Sequence, residues 1–242
     1  MSMNEQKESK LCLFSQLSQF SDEVSQLNEM LLSVSWQDVE LNDCSFEKEN
    51  EINCSGLSDQ QNDLIRKIIK HIPEWKRLIG CKQHRIHDYC LDFHTIAVLK
   101  NIQKHEDFDK LTKYDKLALL YSALLHDIEK NENEVDPEHP IKGAKISSSI
   151  LYRLGFSEDF IDNVYTLVKY HQVLGFMVSG KINLTDDEIS GMFKTPMLLD
   201  LQMILSIADI KSVKKDESFY EDGLTEKLGE LKIKIKNIIC PT

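Results

Sequence analysis

Apolar residues recur along this chain at spacings of three and four, and the elements they predict are helices. Near the start, Leu13, Leu17, Phe20, Val24, Leu27 and Leu31 alternate between steps of four and three, which marks an amphipathic helix with a narrow apolar seam. The seam is too short for a coiled coil. Docking on the main body is its first expected use and a homodimer contact its second. The stretch NDCSFEKENEINCSG, 42 to 56, is polar and aperiodic and reads as a linker.

A helix then begins near Ser58, with Gln61 completing a capping box and Leu64, Ile65, Ile68, Ile69 and Ile72 forming its apolar face. Pro73 interrupts it, and Trp75 to Ile79 continue the turn. Further helices are predicted over 89–104, after a Thr112/Asp115 cap, from Pro140 to Arg153 or Leu154 with Gly155 as the stop, after a Ser157 cap, after a Thr185/Glu188 box, and over 196–213. The body KLALLYSALLHDI is apolar on nearly all sides, which makes it a central, buried helix. In the tail, Leu224, Leu228, Leu231, Ile235 and Ile238 have helical spacing, although KIKIK also alternates as a strand would. The class is all-α. The divisions are 1–56 (N-terminal helix and linker), 57–215 (helical bundle) and 216–242 (a C-terminal helix packing on the bundle).

Composition narrows the partners. With 242 residues, 41% of them hydrophobic, the chain can bury a sizeable core. A net charge of −11 argues against long nucleic acid and anionic membrane, both of which reward basic surfaces. No apolar run approaches the ~18 residues of a membrane span. The first residues lack the pattern of a secretory signal. Cys12, Cys44, Cys54, Cys81, Cys90 and Cys240 are scattered without a Cys-x-x-Cys pair, as expected of reduced thiols in a cytoplasmic protein.

The unusual stretch is LLHDIEKNENEVDPEHP, 124 to 140, which sets His126 and Asp127 at the end of an oily run. A lone histidine on an apolar face is usually a hydrogen-bonded core residue. A buried carboxylate is different, because an unpaired charge in low dielectric costs several kcal/mol. Asp209, inside ILSIADI, poses the same problem. His94, His139 and His171 also fall at or inside predicted helices. A divalent cation would compensate both acids at once. Imidazole and carboxylate without thiolate suit Mn, Fe, Ni, Mg or Zn. Lys130, three residues after Asp127, reads equally as a phosphate clamp or as a solvated helix-end lysine.

The order His94, His126-Asp127, Asp209 resembles the HD-domain metal-dependent phosphohydrolases. ALLHDIEK resembles their central signature, with Glu129 where glycine is usual. HPIKGAKI, with His139 and Gly143, resembles the second histidine segment, LVKYHQ the third, and SIADI the terminal aspartate helix. Residues 84 to 213 look most like the HD domain of bifunctional uridylyltransferase/uridylyl-removing enzymes. No part of the chain resembles the nucleotidyltransferase or sensing domains of those proteins, and the motif of cyclic di-GMP phosphodiesterases is not evident.

The resemblance implies an all-α fold and a metal held by His94, His126, Asp127 and Asp209. His139 and His171 would then ligate a second ion or contact phosphate. It further implies hydrolysis of a phosphate ester (a nucleotide, a dinucleotide or a nucleotidylated protein side chain) by a metal-activated water, with Asp127 and Lys130 in the chemistry and Lys130, His139 and His171 near the phosphate. Glu129 could ligate, repel substrate or face solvent. Two other readings stay open: a non-catalytic metal- or nucleotide-binding module that docks a partner protein, and a bundle whose histidines only hydrogen-bond.

Overall fold

The chain folds around a central helix. In the computed structural model, which describes residues 21–41, 46–47, 53–84, 87–132, 134–213 and 223–240, that helix is Lys113–Leu125, flanked before it in the chain by Asp22–Ser33, Asp59–His71 and Leu91–Gln103. These four are α1 (Asp22–Ser33), α2 (Asp59–His71), α3 (Leu91–Gln103) and α4 (Lys113–Leu125). They are followed by α5 (His139–Arg153), α6 (Glu158–Lys169), α7 (Val173–Val178), α8 (Asp186–Met192), α9 (Pro196–Ile210) and α10 (Leu224–Ile239). Between α1 and α2, β1 (Phe46–Glu47) pairs antiparallel with β2 (Asn53–Cys54), Phe46 opposite Cys54, so the predicted linker carries one short bridge within an all-α architecture.

Local chemistry sets the helix ends. Ser58 and Gln61, and Thr185 and Glu188, form complete capping boxes, and the Thr112 hydroxyl accepts from the Asp115 N–H. Ser157 occupies its N-cap position without a side-chain hydrogen bond. Gly155 ends α5 at φ 87°, with its own N–H on the Tyr152 carbonyl and the Phe156 N–H on Leu151. That left-handed turn is strained for any residue with a Cβ. Pro73 opens a 3-10 turn to Leu78. The helix predicted after the Ser157 cap stops at Lys169, and the chain turns at His171 before α7.

α4 is buried from Leu117 to Leu125, in contact with α1, α3, α5, α6 and α9. One large core spans α1 to α6 and one face of α9. A second, smaller cluster of Leu174, Ile189, Phe193, Leu199, Met203, Leu228 and Ile235 holds α7, α8 and α10 against α9's other side. Leu228 and Ile235 lie seven apart and share one face of α10, and Lys232 and Lys236 both reach Asp200 (2.8 and 3.1 Å). The tail is therefore a helix, KIKIK included.

The N-terminal seam is part of the main core. Val24, Leu27 and Leu31 are buried there, each worth about 1.5–3 kcal/mol on full burial, enough to fix a helix of marginal length on its own. Leu13, Leu17 and Phe20 lie outside the described residues. The chain after α1 is strapped down by Gln103, which accepts the Trp36 N–H (2.7 Å) and donates to the Val34 carbonyl (3.0 Å). Among the described residues, Cys81, Cys90 and Cys240 are free thiols, and no helix is long and apolar enough to cross a membrane.

Candidate metal centre

Six side chains predicted to ligate converge from five elements. His94 lies in the first turn of α3, His126 is the C-cap of α4 with Asp127 next, His139 opens α5, His171 follows α6, and Asp209 is the penultimate residue of α9. Helix ends place them there. Terminal residues from several directions can share one point, whereas neighbours within a helix diverge by about 100°.

All four histidines are oriented alike. Nδ1 of His94 meets the Ser212 carbonyl (3.1 Å), that of His126 the Ala123 carbonyl (2.8 Å), that of His139 the Asp136 carbonyl (2.5 Å) and that of His171 the Val168 carbonyl (2.7 Å). A carbonyl only accepts, so each Nδ1 carries the proton and each Nε2 presents a lone pair inward, the tautomer that ligates metals. Asp127 lies between them. Its Oδ2 is 3.5 Å from His94 Nε2 and 3.3 Å from His126 Nε2; its Oδ1 is 3.3 Å from His139 Nε2 and 3.6 Å from His171 Nε2. Asp209 Oδ1 stands 3.0 Å from His94 Nε2 and 3.7 Å from His126 Nε2. Two donor groups result, His94–His126–Asp127 and Asp127–His139–His171, each with its ligand atoms within 4.8 Å of one another.

These residues fit a divalent ion. The Nε2 atoms of His94 and His126 face each other at 3.2 Å, an arrangement of opposed lone pairs that a cation relieves. Among the described residues, Asp127 Oδ1 and His171 Nε2 are buried without a hydrogen-bond partner, a costly omission in a protein interior. Ligand bonds of about 2.0–2.2 Å put neighbouring ligand atoms roughly 3–3.5 Å apart, close to the spacings found. The donor set is nitrogen and oxygen only, suited to borderline or hard ions.

Electrostatics follow from burial and proximity. Burial opposes ionisation of Asp127, but His126 and Lys130 outweigh it and hold the carboxyl well below the ordinary range. Asp209 is likewise depressed, burial being outweighed by the His94 and His126 rings beside it. Burial disfavours the His126 imidazolium, yet Asp127 and Asp209 hold its pKa above the usual value. Burial, with His126 beside it, pushes His171 down to about 3. Since a ligand histidine must be neutral, metal binding displaces the proton that His126 retains at lower pH. Apparent affinity is therefore expected to fall as pH drops below the raised His126 pKa, by up to about tenfold per pH unit for each proton displaced. Manganese titrations across that range, with proton release read from calorimetry in buffers of different ionisation enthalpy, check this. Affinity independent of pH contradicts it.

Three details differ from the sequence reading or resolve it. Asp209 is not fully buried: its side chain retains 17% exposure at the mouth, because it ends α9. Lys130 is not a freely solvated helix-end lysine. Its ammonium lies 2.6 Å from Asp127 Oδ2 and 3.2 Å from Gln83 Oε1. Glu129 pairs with Arg77 (2.7 Å), which also bonds Asn131 (3.0 Å). That pair is partly exposed, so Glu129→Gly is expected to change stability by less than about 1 kcal/mol and leave metal content unaltered; metal analysis with thermal melts checks this. Gly143 lies over the His126 carbonyl, which a Cβ there would approach to 3.6 Å, an ordinary contact.

Neither Gln83 nor His87 was legible as a site residue. Both belong to the 81–90 stretch, which has no periodicity to place it. His87 sets its ring edge-on to His94, centroids 5.7 Å apart, and burial first, then Lys130, lower its pKa to about 4.

Among proteins of known role, this chain is 30% identical over 158 residues to the bifunctional uridylyltransferase/uridylyl-removing enzyme of Ruegeria pomeroyi, covering 59% of this chain and 17% of the relative. The enzyme of the same name from Azospirillum brasilense is 28% identical over 162 residues (60% and 17%), and that of Idiomarina loihiensis 24% over 180 (68% and 20%). The chain thus spans a fifth or less of these relatives' length. The HD domain profile matches residues 91–213, just over half of the chain, a segment that holds all six converging side chains. By that match this protein belongs to the HD domain family, whose members are generally metal-dependent phosphohydrolases.

Proposed function

We propose that the chain hydrolyses a phosphate ester of a nucleotide, with a nucleotidylated protein side chain as the first candidate substrate. One observation carries the reading: each oxygen of Asp127 faces its own pair of buried imidazoles, an arrangement suited to a carboxylate shared by two ions. His94, His126, Asp127 and Asp209 would hold the first, and His139 and His171, with Asp127, the second. A bound divalent ion supplies an acidified water and neutralises charge on the phosphoryl oxygens. Asp127 fixes the ligand set and stays ionised, Lys130 turns from it towards the phosphate, and the backbone carbonyls hold all four imidazoles in the ligating tautomer. Water adds across the P–O bond, the acceptor oxygen leaves with a proton, and the nucleotide departs as a monophosphate. The relatives' name, uridylyl-removing, supports this substrate class. The reading as a non-catalytic partner-docking module gains little support, since Glu129 is engaged by Arg77 and the seam at Val24, Leu27 and Leu31 lies in the chain's own core.

The test is release of nucleoside monophosphate from a uridylylated peptide, and turnover of nucleotides, dinucleotides and an aryl phosphodiester, with Mn2+, Fe2+, Ni2+, Mg2+ or Zn2+. Metal-dependent release is expected on at least one substrate. Inactivity with every ion across the panel defeats the reading.

A further inference from the structure

The rim beside Asp127 carries a histidine that neither ligand group uses. The 81–90 stretch is closed at its base by the Leu91 N–H on the Cys81 carbonyl (2.9 Å) and tied to the end of α9 by the Asp88 N–H on Val213 (3.0 Å). Gln83 of the same stretch accepts from Lys130. His87 is thereby held edge-on against His94, close enough to Lys130 to feel its charge. Each ligand histidine has its Nδ1 on a backbone carbonyl. His87 does not: its Nδ1 is buried and has no hydrogen-bond partner among the described residues. A core histidine would be bonded, and an unmet buried nitrogen is destabilising until something fills the position.

We infer that His87 is a substrate-contacting residue, its imidazole donating to a non-bridging phosphoryl oxygen beside Lys130. The inference rests on the phosphohydrolase reading above. It assigns His87 to the substrate and not to the metal, so its loss separates the two.

The experiment compares wild-type protein, His87→Ala and His87→Gln, loaded with manganese. Three quantities are read: metal content, kcat and KM on bis(p-nitrophenyl) phosphate, and the affinity for inorganic phosphate by calorimetry. His87→Ala is expected to keep full metal content while losing about ten- to hundredfold in kcat/KM and in phosphate affinity, the range for a hydrogen bond to a charged group. His87→Gln, which retains a donor, should recover part of both. Loss of manganese from His87→Ala, or wild-type values in that variant, overturns the contact alone. Wild-type protein that loads manganese yet neither binds phosphate nor turns over overturns the proposed function and the contact with it.

Discussion

Replacing Asp127 with alanine is expected to abolish metal retention and metal-dependent turnover together, while α4 and its neighbours stay folded. Asp127 contributes to both donor groups, so a single substitution leaves His139 and His171 without a carboxylate and His94 and His126 with Asp209 only. Losing even the outer hydrogen-bond partner of a ligand costs about 10- to 100-fold in metal affinity; removing a shared ligand should exceed that. Asp127→Asn is the sharper variant, because it keeps the volume and removes only the charge. A thermal readout accompanies activity. Manganese at a hundred times its dissociation constant should stabilise wild-type protein by about 2.7 kcal/mol, a rise of several degrees for a chain of this size. The two variants should show almost none of that rise. Wild-type metal content in Asp127→Asn would remove the electrostatic basis of the site.

The second large effect lies in the segment that follows α1. Trp36→Ala is expected to destabilise the whole bundle by about 3–5 kcal/mol, the range for truncating a fully buried aromatic, lowering Tm by roughly 10 °C. Trp36 is 1% exposed, and its N–H is bonded by Gln103, whose amide also serves Val34. If residues 34–41 were a detachable linker, the melt would scarcely move. Differential scanning calorimetry distinguishes these, and a shift below one degree would show that this strap is not part of the cooperative unit.

That second expectation marks where pattern reading ended. The boundary at residue 56 rested on the polar run from 42, yet the segment before that run joins the main core through Val34, Trp36, Val39 and Leu41. These apolar positions are too few and too irregular to show a period, and only the shape of the surface left by α2, α3 and α4 decides that they are covered. The tail is the converse case. Helix and strand both fit KIKIK by spacing, and the second core settles it by burying residues seven apart while leaving Ile233 65% exposed.

By itself the sequence determined the helices, because a capping box acts over three residues and an amphipathic face over a few turns, and it determined the chemistry of the site, because a buried acid demands compensation wherever the chain goes. Tertiary structure alone decided how those groups share one centre: Asp127 facing a different imidazole pair with each oxygen, Lys130 against that carboxylate, Arg77 holding Glu129, and His87 brought to the rim. Each of those contacts joins residues far apart in the chain or depends on the angle at which a helix ends. Such angles are fixed by packing across the whole core, which no local pattern encodes.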